Sequence, residues 1–265
     1  RGNVPVLEVA DELNIRVLEA ADKHSLRELF KGRPVTSKVA ILIDFGVIVP
    51  QPVIDYFPLG IINSHFSLLP EWRGADPITF SILSGQKSTG VSLMQLVAGL
   101  DEGALLAYAE YPLSATITTP ELTDDLIDLS YRLLEATMPN YIDGSLVLAP
   151  QDITGRSVSY SRKLTKEDGI LDWTKPAAQL EREIRAFIDW PKSRTTLNGM
   201  DIVVTSAHVI DAIGEPGKTD IVNKQPVVCT SKNALAIDRI KPAGKKEMTG
   251  EAFLAGYKKQ FLGLA

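Results

Sequence analysis

Cysteine is almost absent from this chain. Its 265 residues include one cysteine, Cys229, which excludes an internal disulfide and any zinc site built from cysteines. Histidine is nearly as rare, with three residues, and no spacing among the histidines and Cys229 matches a metal-binding pattern. We therefore expect no metal, and a reducing compartment such as the cytoplasm.

Long apolar runs and glycine-rich phosphate loops are also missing. No hydrophobic stretch approaches the roughly 20 residues that a membrane helix needs, and residues 1–4 lack a hydrophobic signal core. Without a phosphate loop, no nucleotide cofactor is indicated. These absences predict a soluble cytoplasmic protein with no membrane partner, and no sequence feature requires an obligate protein partner.

The charge is divided unevenly along the chain. Residues 1–173 contain 14 Lys and Arg against 23 Asp and Glu, whereas residues 174–265 contain 14 against 10. A basic C-terminal part suits a polyanion such as RNA, because phosphate contacts supply much of the affinity for nucleic acids. Taken alone, the charge favours an ordinary solvated lysine surface over an RNA-binding one.

Alternating helical and extended patterns in the first part of the chain predict a doubly wound, Rossmann-like α/β domain. The continuous apolar run at residues 39–43 is typical of a parallel strand that is covered on both faces. Further strands are expected at 16–18, 91–97 and 105–111, and helices at 5–14, 77–84 and 119 to about 141.

The last part of the chain reads as a small β domain. Short strands at 202–204, 209–213, 227–229 and 235–237, broken by turn residues, predict a small antiparallel, OB-like barrel between helices at 177–187 and about 250–257. The predicted division is a catalytic domain at 1–150, a linker at 151–175 and a C-terminal domain at 176–265. We place His24 in a polar connection and His208 in the β domain, and expect a surface or packing role for both.

Polar groups end the apolar strand that precedes residue 63. Asn63 and His65 are two positions apart, so their side chains face the same side of an extended segment. Asp101 lies in a glycine-framed turn after the strand at 91–97 and supplies a carboxylate. This set suits proton transfer and stabilisation of a tetrahedral acyl intermediate. A polar pair that only caps a turn is the alternative.

These residues resemble the folate-dependent formyltransferases. The resemblance rests on Asn63-x-His65, on the following Ser-Leu-Leu-Pro loop, and on Asp101-x-Gly103. It covers essentially the whole chain, and within the family residues 72–75 and 160–173 are most similar to members that formylate methionyl-tRNA. The family begins about fifty residues upstream, so we expect the catalytic domain to be N-terminally incomplete here.

The resemblance implies formyl transfer from 10-formyltetrahydrofolate to the α-amino group of initiator methionyl-tRNA, with catalysis by Asn63, His65 and Asp101. It also implies a pterin loop in which Asp44 departs from the small residue that is usual in the family. The implied folate-binding residues are Phe45, Gly46, Ser67, Leu68, Leu69 and Pro70, and the implied tRNA-binding residues are Arg73, Arg162, Lys163, Lys166, Lys241, Lys245 and Lys246.

Three functions stay open at the level of the sequence. The first is formyl transfer to methionyl-tRNA, which the basic C-terminal part favours. The second is formyl transfer to another amine such as an amino sugar, or hydrolysis of the formyl folate. The third is a non-enzymatic tRNA-binding or folate-binding remnant, against which the joint presence of Asn63, His65 and Asp101 argues.

Overall fold

The structure, a computed structural model, describes residues 4–264. The residues outside this range are 1–3, which belong to the N-terminal segment without a signal core, and 265. From residue 4 onward, the elements of the first part of the chain are α1 (Pro5–Glu12), α2 (Lys23–Lys31), β1 (Ala40–Leu42), α3 (Gln51–Ile54), β2 (Ile61–His65), β3 (Arg73–Gly74), α4 (Pro77–Ser84), β4 (Ser88–Gln95), β5 (Leu105–Pro112) and α5 (Thr119–Ile142).

Short elements connect this part to a second, mainly β part. The connection contains 3-10 turns at Gln151–Thr154 and Glu167–Gly169, and the two-residue strand β6 (Tyr160–Ser161), which pairs in parallel with β3. The remaining elements are α6 (Ala177–Ala186), β7 (Ser193–Leu197), β8 (Met200–Ile210), β9 (Thr219–Val222), β10 (Gln225–Cys229), β11 (Ala234–Pro242), β12 (Met248–Thr249) and α7 (Gly250–Phe261).

The first sheet has the strand order β1-β2-β4-β5. β1 and β2 are parallel, whereas β4 is antiparallel to both β2 and β5. Ile62, Val91 and Leu93 are fully buried and pack with Leu122 and Leu126 of α5. The long helix starts where it was expected because Thr118 and Glu121 form a capping box.

Three details of the N-terminal prediction were wrong. Ile41 of β1 is half exposed, because β1 pairs only with β2 among the described residues and so forms an edge of the sheet. Residues 16–18 form no strand. His24 lies on α2, not in a connection, because the Asp22 side chain and Ser25 form a capping box that starts this helix.

The second sheet is antiparallel and has the order β7-β8-β11-β10-β9, with β12 paired to β11. Residues 202–204 and 209–213 were expected as two strands, but the first range and residues 209–210 lie on the single strand β8, which pairs with β11 along its length. The sequence reading missed β7 and β9. Asn198 and Gly199, expected as a break, both have positive φ and turn the chain between β7 and β8.

Helix α6 joins the two parts of the molecule. Its Leu180 and Ile184 are buried in the core of the second sheet, while its arginines bond to the first part. Arg182 Nε donates to the Leu83 carbonyl at 3.0 Å, and Arg185 Nη1 donates to the Ile117 carbonyl at 2.6 Å. The expected fold class, an α/β domain followed by a small antiparallel β domain, is confirmed. No helix within residues 4–264 has the length and hydrophobicity to cross a membrane.

Candidate active site

Strand β2 ends in the polar pair that the sequence singled out. Asn63 pairs with Met94 of β4 and His65 with Ser92, so both residues are fixed by the sheet. Their side chains are buried, with 8% and 6% of each residue exposed. β1 is parallel to β2 and Leu42 pairs with Asn63. The chain that leaves β1 at residues 43–46 therefore emerges beside this pair.

The structure brings Asp101 to the same place. Asp101 Oδ1 accepts a hydrogen bond from Asn63 Nδ2 at 3.5 Å, and Asp101 Oδ2 lies 3.7 Å from His65 Nδ1. The turn that carries Asp101 needs Gly103, because a Cβ atom there would lie 1.6 Å from the Gln95 carbonyl oxygen. The three side chains, distant in sequence, thus form one group, which is called the Asn-His-Asp site below.

Gly74 also holds the Asp101 carboxylate in place. Its backbone N–H donates to Asp101 Oδ2 at 2.8 Å. Gly74 has a φ of 104°, and a Cβ atom there would come within 2.5 Å of the Ser161 carbonyl oxygen on β6. Only glycine fits this position without displacing the backbone, so the pairing of β3 with β6 and the orientation of Asp101 depend on the same residue.

Hydrogen bonding fixes the tautomer of His65. Its Nε2 donates to the Trp72 carbonyl oxygen at 2.9 Å, because a carbonyl can only accept, and this leaves the Nδ1 lone pair facing Asp101. Burial lowers the pKa of His65 below its ordinary value of 6.5, and the Asp101 carboxylate and the Trp72 carbonyl only partly oppose that shift. His65 is therefore neutral at pH 7 and can accept a proton at Nδ1.

The Arg73 side chain is held by hydrogen bonds to other residues of the chain. Its guanidinium donates to Gln151 Oε1 at 2.7 Å and 3.2 Å and contacts Glu102 Oε1 at 3.2 Å. Gln151 in turn donates to the carbonyls of Asp101 and Gly103 at 2.7 Å and 2.9 Å. Arg73, expected to bind substrate, thus braces the turn that carries Asp101. The sequence reading missed Gln151, and no spacing or motif marks it.

The Ser-Leu-Leu-Pro loop is buried beneath the site. Ser67, Leu68, Leu69 and Pro70 are all buried, and Leu69 packs in a small apolar cluster. The Leu69 N–H donates to Ser92 Oγ at 3.0 Å, and Ser92 Oγ donates to the Ser67 carbonyl at 2.8 Å. These contacts turn the chain so that the Trp72 carbonyl reaches His65. A direct folate contact by these side chains stays a prediction.

Exposed apolar side chains lie on the loops that flank the site. Phe45 is 43% exposed beside Gly46, on the loop that follows β1. Val97 and Leu100, on the loop between β4 and Asp101, are 39% and 59% exposed. The first loop leaves β1 beside Asn63 and the second ends at Asp101, so exposed apolar side chains flank the polar Asn-His-Asp site on both loops. A largely apolar ligand with a few polar groups requires this combination.

Apart from Arg73, the expected RNA-binding residues are exposed and separate into two groups. Arg162, Lys163 and Lys166 lie on the connection after β6, and Lys241, Lys245 and Lys246 lie at the end of β11 and in the following turn. Arg162 is already paired with Asp168 through two contacts at 2.8 Å and 2.5 Å, and this pairing holds the pKa of Asp168 well below its usual range.

Two cavities lie away from the Asn-His-Asp site. A cleft of about 1040 Å³ separates α6 and β8 from the segment that precedes α5, and a cavity of about 330 Å³ lies beside α4 and α6. Asn63, His65 and Asp101 line neither of them. The candidate active site is instead the buried Asn-His-Asp site, beside the exposed loops that follow β1 and β4. Among residues 4–264, no cluster of three or more His, Cys, Asp or Glu side chains could hold a metal ion.

Comparison with known proteins assigns this geometry to a family. A family profile described as "Formyl transferase" matches residues 3–138, and a profile described as "Formyl transferase, C-terminal domain" matches residues 163–258. The chain belongs to the formyl transferase family. The resemblance seen in the sequence is thereby confirmed, and the expectation of an enzyme that transfers a formyl group is confirmed at the level of the family.

The relatives of this formyl transferase differ in their named substrates. The methionyl-tRNA formyltransferase of Pseudoalteromonas translucida is 35% identical over 256 residues, or 95% of this chain and 79% of that protein. HypX from Aquifex aeolicus, solved with tetrahydrofolic acid, has a TM-score of 0.62 at 16% identity; the match covers 90% of this chain and 41% of HypX. An N-formyltransferase from Helicobacter canadensis, solved with folinic acid and dTDP-3-aminofucose, has a TM-score of 0.64 at 17% identity. That match covers 88% of this chain and 82% of the other protein.

Proposed function

We propose that this formyl transferase moves the formyl group of 10-formyltetrahydrofolate to the α-amino group of initiator methionyl-tRNA. The observation that carries the proposal is the 35% identity to a methionyl-tRNA formyltransferase over 95% of the chain. The neighbour solved with dTDP-3-aminofucose is similar at 17% identity, which supports a common fold and no more. The basic C-terminal part of the chain also favours an RNA substrate.

The residues around the site fit a folate. Phe45, Val97 and Leu100 are exposed and offer apolar contacts for the pterin ring, on loops that follow the neighbours of β2, the strand that carries Asn63 and His65. 10-Formyltetrahydrofolate supplies the activated formyl group when it is bound. Gly46 lies in the same loop as Phe45 and leaves the approach open, because a Cβ atom there would meet no other atom within 4 Å.

Proton transfer in this proposal belongs to His65. Its neutral Nδ1 accepts the proton that the attacking amine loses, and the Asp101 carboxylate stabilises the resulting imidazolium. Asn63 and the Gly74 N–H keep the carboxylate in place. The amine nitrogen bonds to the formyl carbon and gives a tetrahedral intermediate, whose oxyanion can accept the second amide proton of Asn63 in a hydrogen bond. The bond from N10 to the formyl carbon then breaks, and the His65 imidazolium returns its proton to N10 of the departing tetrahydrofolate, so no covalent bond to the enzyme is needed.

The test is transfer of a labelled formyl group from 10-formyltetrahydrofolate to charged initiator methionyl-tRNA. Uncharged tRNA is the control for the acceptor amine, and dTDP-3-aminofucose is the competing acceptor. The proposal expects formylated methionyl-tRNA and no product with uncharged tRNA. Formylation of the amino sugar but not of methionyl-tRNA, or no product from the folded protein, would contradict it.

A further inference from the structure

Gln151 is a buried side chain whose hydrogen-bonding groups are all in use. It is 7% exposed and begins the 3-10 turn Gln151–Thr154. Its Nε2 donates to the carbonyls of Asp101 and Gly103, and its Oε1 accepts from both Nη2 and Nε of Arg73. A glutamine amide has two donor protons and two acceptor lone pairs, so this side chain is bonded entirely to the protein.

The surroundings of Gln151 require an amide. Carbonyls can only accept and a guanidinium can only donate, which fixes Nε2 toward the turn at residues 101–103 and Oε1 toward Arg73. A glutamate carboxylate at this position would face two carbonyl oxygens, and a lysine ammonium would face the Arg73 guanidinium. An amide side chain is therefore what connects Arg73 to the turn that carries Asp101.

The backbone before Gln151 is anchored to the start of β5. Ala149 and Leu105 exchange N–H to carbonyl hydrogen bonds at 2.9 Å and 2.7 Å, and the two segments run antiparallel at this bridge. Residue 151 lies two positions after this pair and residue 103 two positions before it, so the two come level with each other. The amide of Gln151 thus reaches the turn from a fixed part of the backbone.

Asp101 has a backbone conformation that needs support. Its φ is 51°, in the left-handed region that residues other than glycine adopt infrequently, and such conformations persist where surrounding contacts hold them. Gln151 bonds the carbonyl of Asp101 itself and the carbonyl of Gly103. It therefore fixes the stretch of backbone from which the carboxylate projects.

Two of the contacts that the carboxylate makes in the Asn-His-Asp site are long. Asp101 Oδ1 lies 3.5 Å from Asn63 Nδ2, and Oδ2 lies 3.7 Å from His65 Nδ1. Hydrogen bonds to a carboxylate are usually about 2.7 to 2.9 Å, so these two contacts are weak restraints. The position of the turn therefore decides how close the carboxylate comes to His65.

We propose that Gln151 is a positioning residue for formyl transfer, which holds Asp101 at the distance from which its carboxylate stabilises the charge on His65. The inference rests on the proposed function, in which His65 accepts the proton of the attacking amine. Gln151 touches no reacting atom, because its amide is bonded to the protein on both sides. Its loss should slow the chemical step and leave substrate affinity unchanged.

Gln151→Met removes the four hydrogen bonds and keeps a side chain of similar length. We expect kcat for formyl transfer to fall about 10- to 100-fold, the cost of misplacing a group by about 1 Å, while the KM for each substrate stays within twofold. Gln225→Met is the matched control, because Gln225 is half-buried on β10 and donates to Asp238. A kcat within twofold of the parent, or a loss confined to KM, would overturn the proposal.

A double-mutant cycle separates positioning from a general loss of structure. If Gln151 acts through Asp101, Gln151→Met should lower kcat less than twofold in a protein that already carries Asp101→Asn, because no carboxylate is left to misplace. An equal fold-decrease in the two backgrounds would show that Gln151 acts on the fold and not through Asp101.

NMR titration of the His65 imidazole gives a readout that needs no substrate. The Asp101 carboxylate opposes the burial that lowers the pKa of His65, so a carboxylate that moves away should lower this pKa further. Gln151→Met should therefore shift the pKa in the same direction as Asp101→Asn, and Gln225→Met should leave it unchanged. A pKa in Gln151→Met equal to that of the parent would contradict the proposal.

Gln151→Asn keeps the test available if Gln151→Met does not fold. It retains the donor and the acceptor, but it is one methylene shorter and cannot reach Arg73 and both carbonyls together. Thermal unfolding measured by circular dichroism verifies that the variant is folded. A folded Gln151→Asn protein should show a lowered kcat and a lowered pKa of His65, and parent values for both would overturn the proposal.

The positioning role and the proposed function can fail separately. If the parent formylates methionyl-tRNA while Gln151→Met changes neither kcat nor the pKa of His65, the positioning role fails and the proposed function stands. If the parent makes no formyl-methionyl-tRNA while Gln151→Met lowers the pKa of His65, the proposed function fails and the positioning of Asp101 by Gln151 stands.

Discussion

At the scale of single residues, the Asn-His-Asp site couples one base to one fixed carboxylate. Asp101 is held by Asn63 Nδ2 and by the Gly74 N–H, and it faces the lone pair of His65 Nδ1. The carboxylate therefore acts through His65, whose tautomer the Trp72 carbonyl sets. The sequence predicted that these three residues act together. The distances of 3.5 Å from Asn63 Nδ2 to Asp101 Oδ1 and of 3.7 Å from His65 Nδ1 to Asp101 Oδ2 come from the fold.

Asp101→Asn should lower kcat/KM for formyl transfer by about 10² to 10³, the usual cost of losing one preorganised electrostatic group. The amide keeps the shape of the side chain but cannot stabilise an imidazolium. Labelled formyl transfer measures the effect, and Asp211→Asn, on an exposed connection, is the charge-matched control. A decrease of less than fivefold in Asp101→Asn would contradict the proposed role of the carboxylate.

Protonation of His65 should limit activity at acid pH. Because burial lowers the pKa of His65, the neutral base persists below pH 6.5, and kcat/KM should fall only as the pH drops through that lowered pKa. NMR titration of the imidazole nitrogens measures the pKa directly. Asp101→Asn should lower this pKa further, since the carboxylate favours the imidazolium. A pKa above 6.5 in the parent would show that burial is not the dominant effect on His65, and a rise in the variant would show that the charge of Asp101 does not control it.

The same pKa shift has a consequence for stability. Below pH 6.5 the unfolded chain takes up a proton at His65 that the folded chain does not, so stability decreases as the pH falls from 6.5 toward the lowered pKa. Above pH 6.5 both states are neutral at His65 and the contribution is constant.

At the scale of elements, the strand pair β3–β6 connects the site to the second part of the chain. Arg73 pairs with Tyr160 and Gly74 with Ser161, and the Ser159 N–H donates to the Pro70 carbonyl. Gln151 adds a bridge from Arg73 to the turn at Asp101. The geometry of the site thus depends on residues of the predicted linker, and the division at residues 150 and 175 stays a prediction.

Gly74→Ala should destabilise the fold and distort the site. Its Cβ atom would lie 2.5 Å from the Ser161 carbonyl oxygen, in addition to the cost of a positive φ. Gly144→Ala is the matched control, because Gly144 also has a positive φ but open space around its Cβ position. Urea unfolding should show a loss of about 1 kcal/mol in the control and clearly more in Gly74→Ala. Equal losses of unfolding free energy in the two variants would show that β3 accommodates the extra Cβ atom without strain.

At the scale of the whole molecule, the two parts differ in charge and are joined through α6. The basic excess lies in residues 174–265, and the exposed Lys241, Lys245 and Lys246 fall within that range. Arg182 and Arg185, which also belong to it, are engaged by carbonyls of the first part. The arginines of α6 therefore contribute to domain contact, which leaves the exposed lysines as the candidates for phosphate binding.

Replacing Lys241, Lys245 and Lys246 together by Gln should weaken tRNA binding and reduce its salt dependence. Each lost phosphate contact lowers the slope of log K against log salt concentration by about 0.7 to 0.9. Filter binding between 50 and 200 mM salt measures the slope, and the triple Gln variant of Lys23, Lys31 and Lys38, all exposed in the first part, is the control. Equal slopes in the two triple variants would show that Lys241, Lys245 and Lys246 do not contact the tRNA phosphates.

The sequence by itself determined the family, the chemical groups of the site and most regular elements. These follow from local information: helix α4 was predicted with the bounds it has, α5 starts at its capping box, and the polar pair at 63 and 65 alternates on β2. Local patterns determine such features because periodicity and capping involve residues that are close along the chain.

Only the tertiary structure decided which side chains meet. The antiparallel direction of β4, the edge position of β1 among the described strands and the bracing of Asp101 by Gln151 all depend on contacts between distant residues. α7 also runs to Phe261, beyond the expected end near residue 257, because the fully buried Phe253 and Phe261 continue its apolar face. Packing free energy is shared among segments that are remote in sequence, so no single segment carries that information.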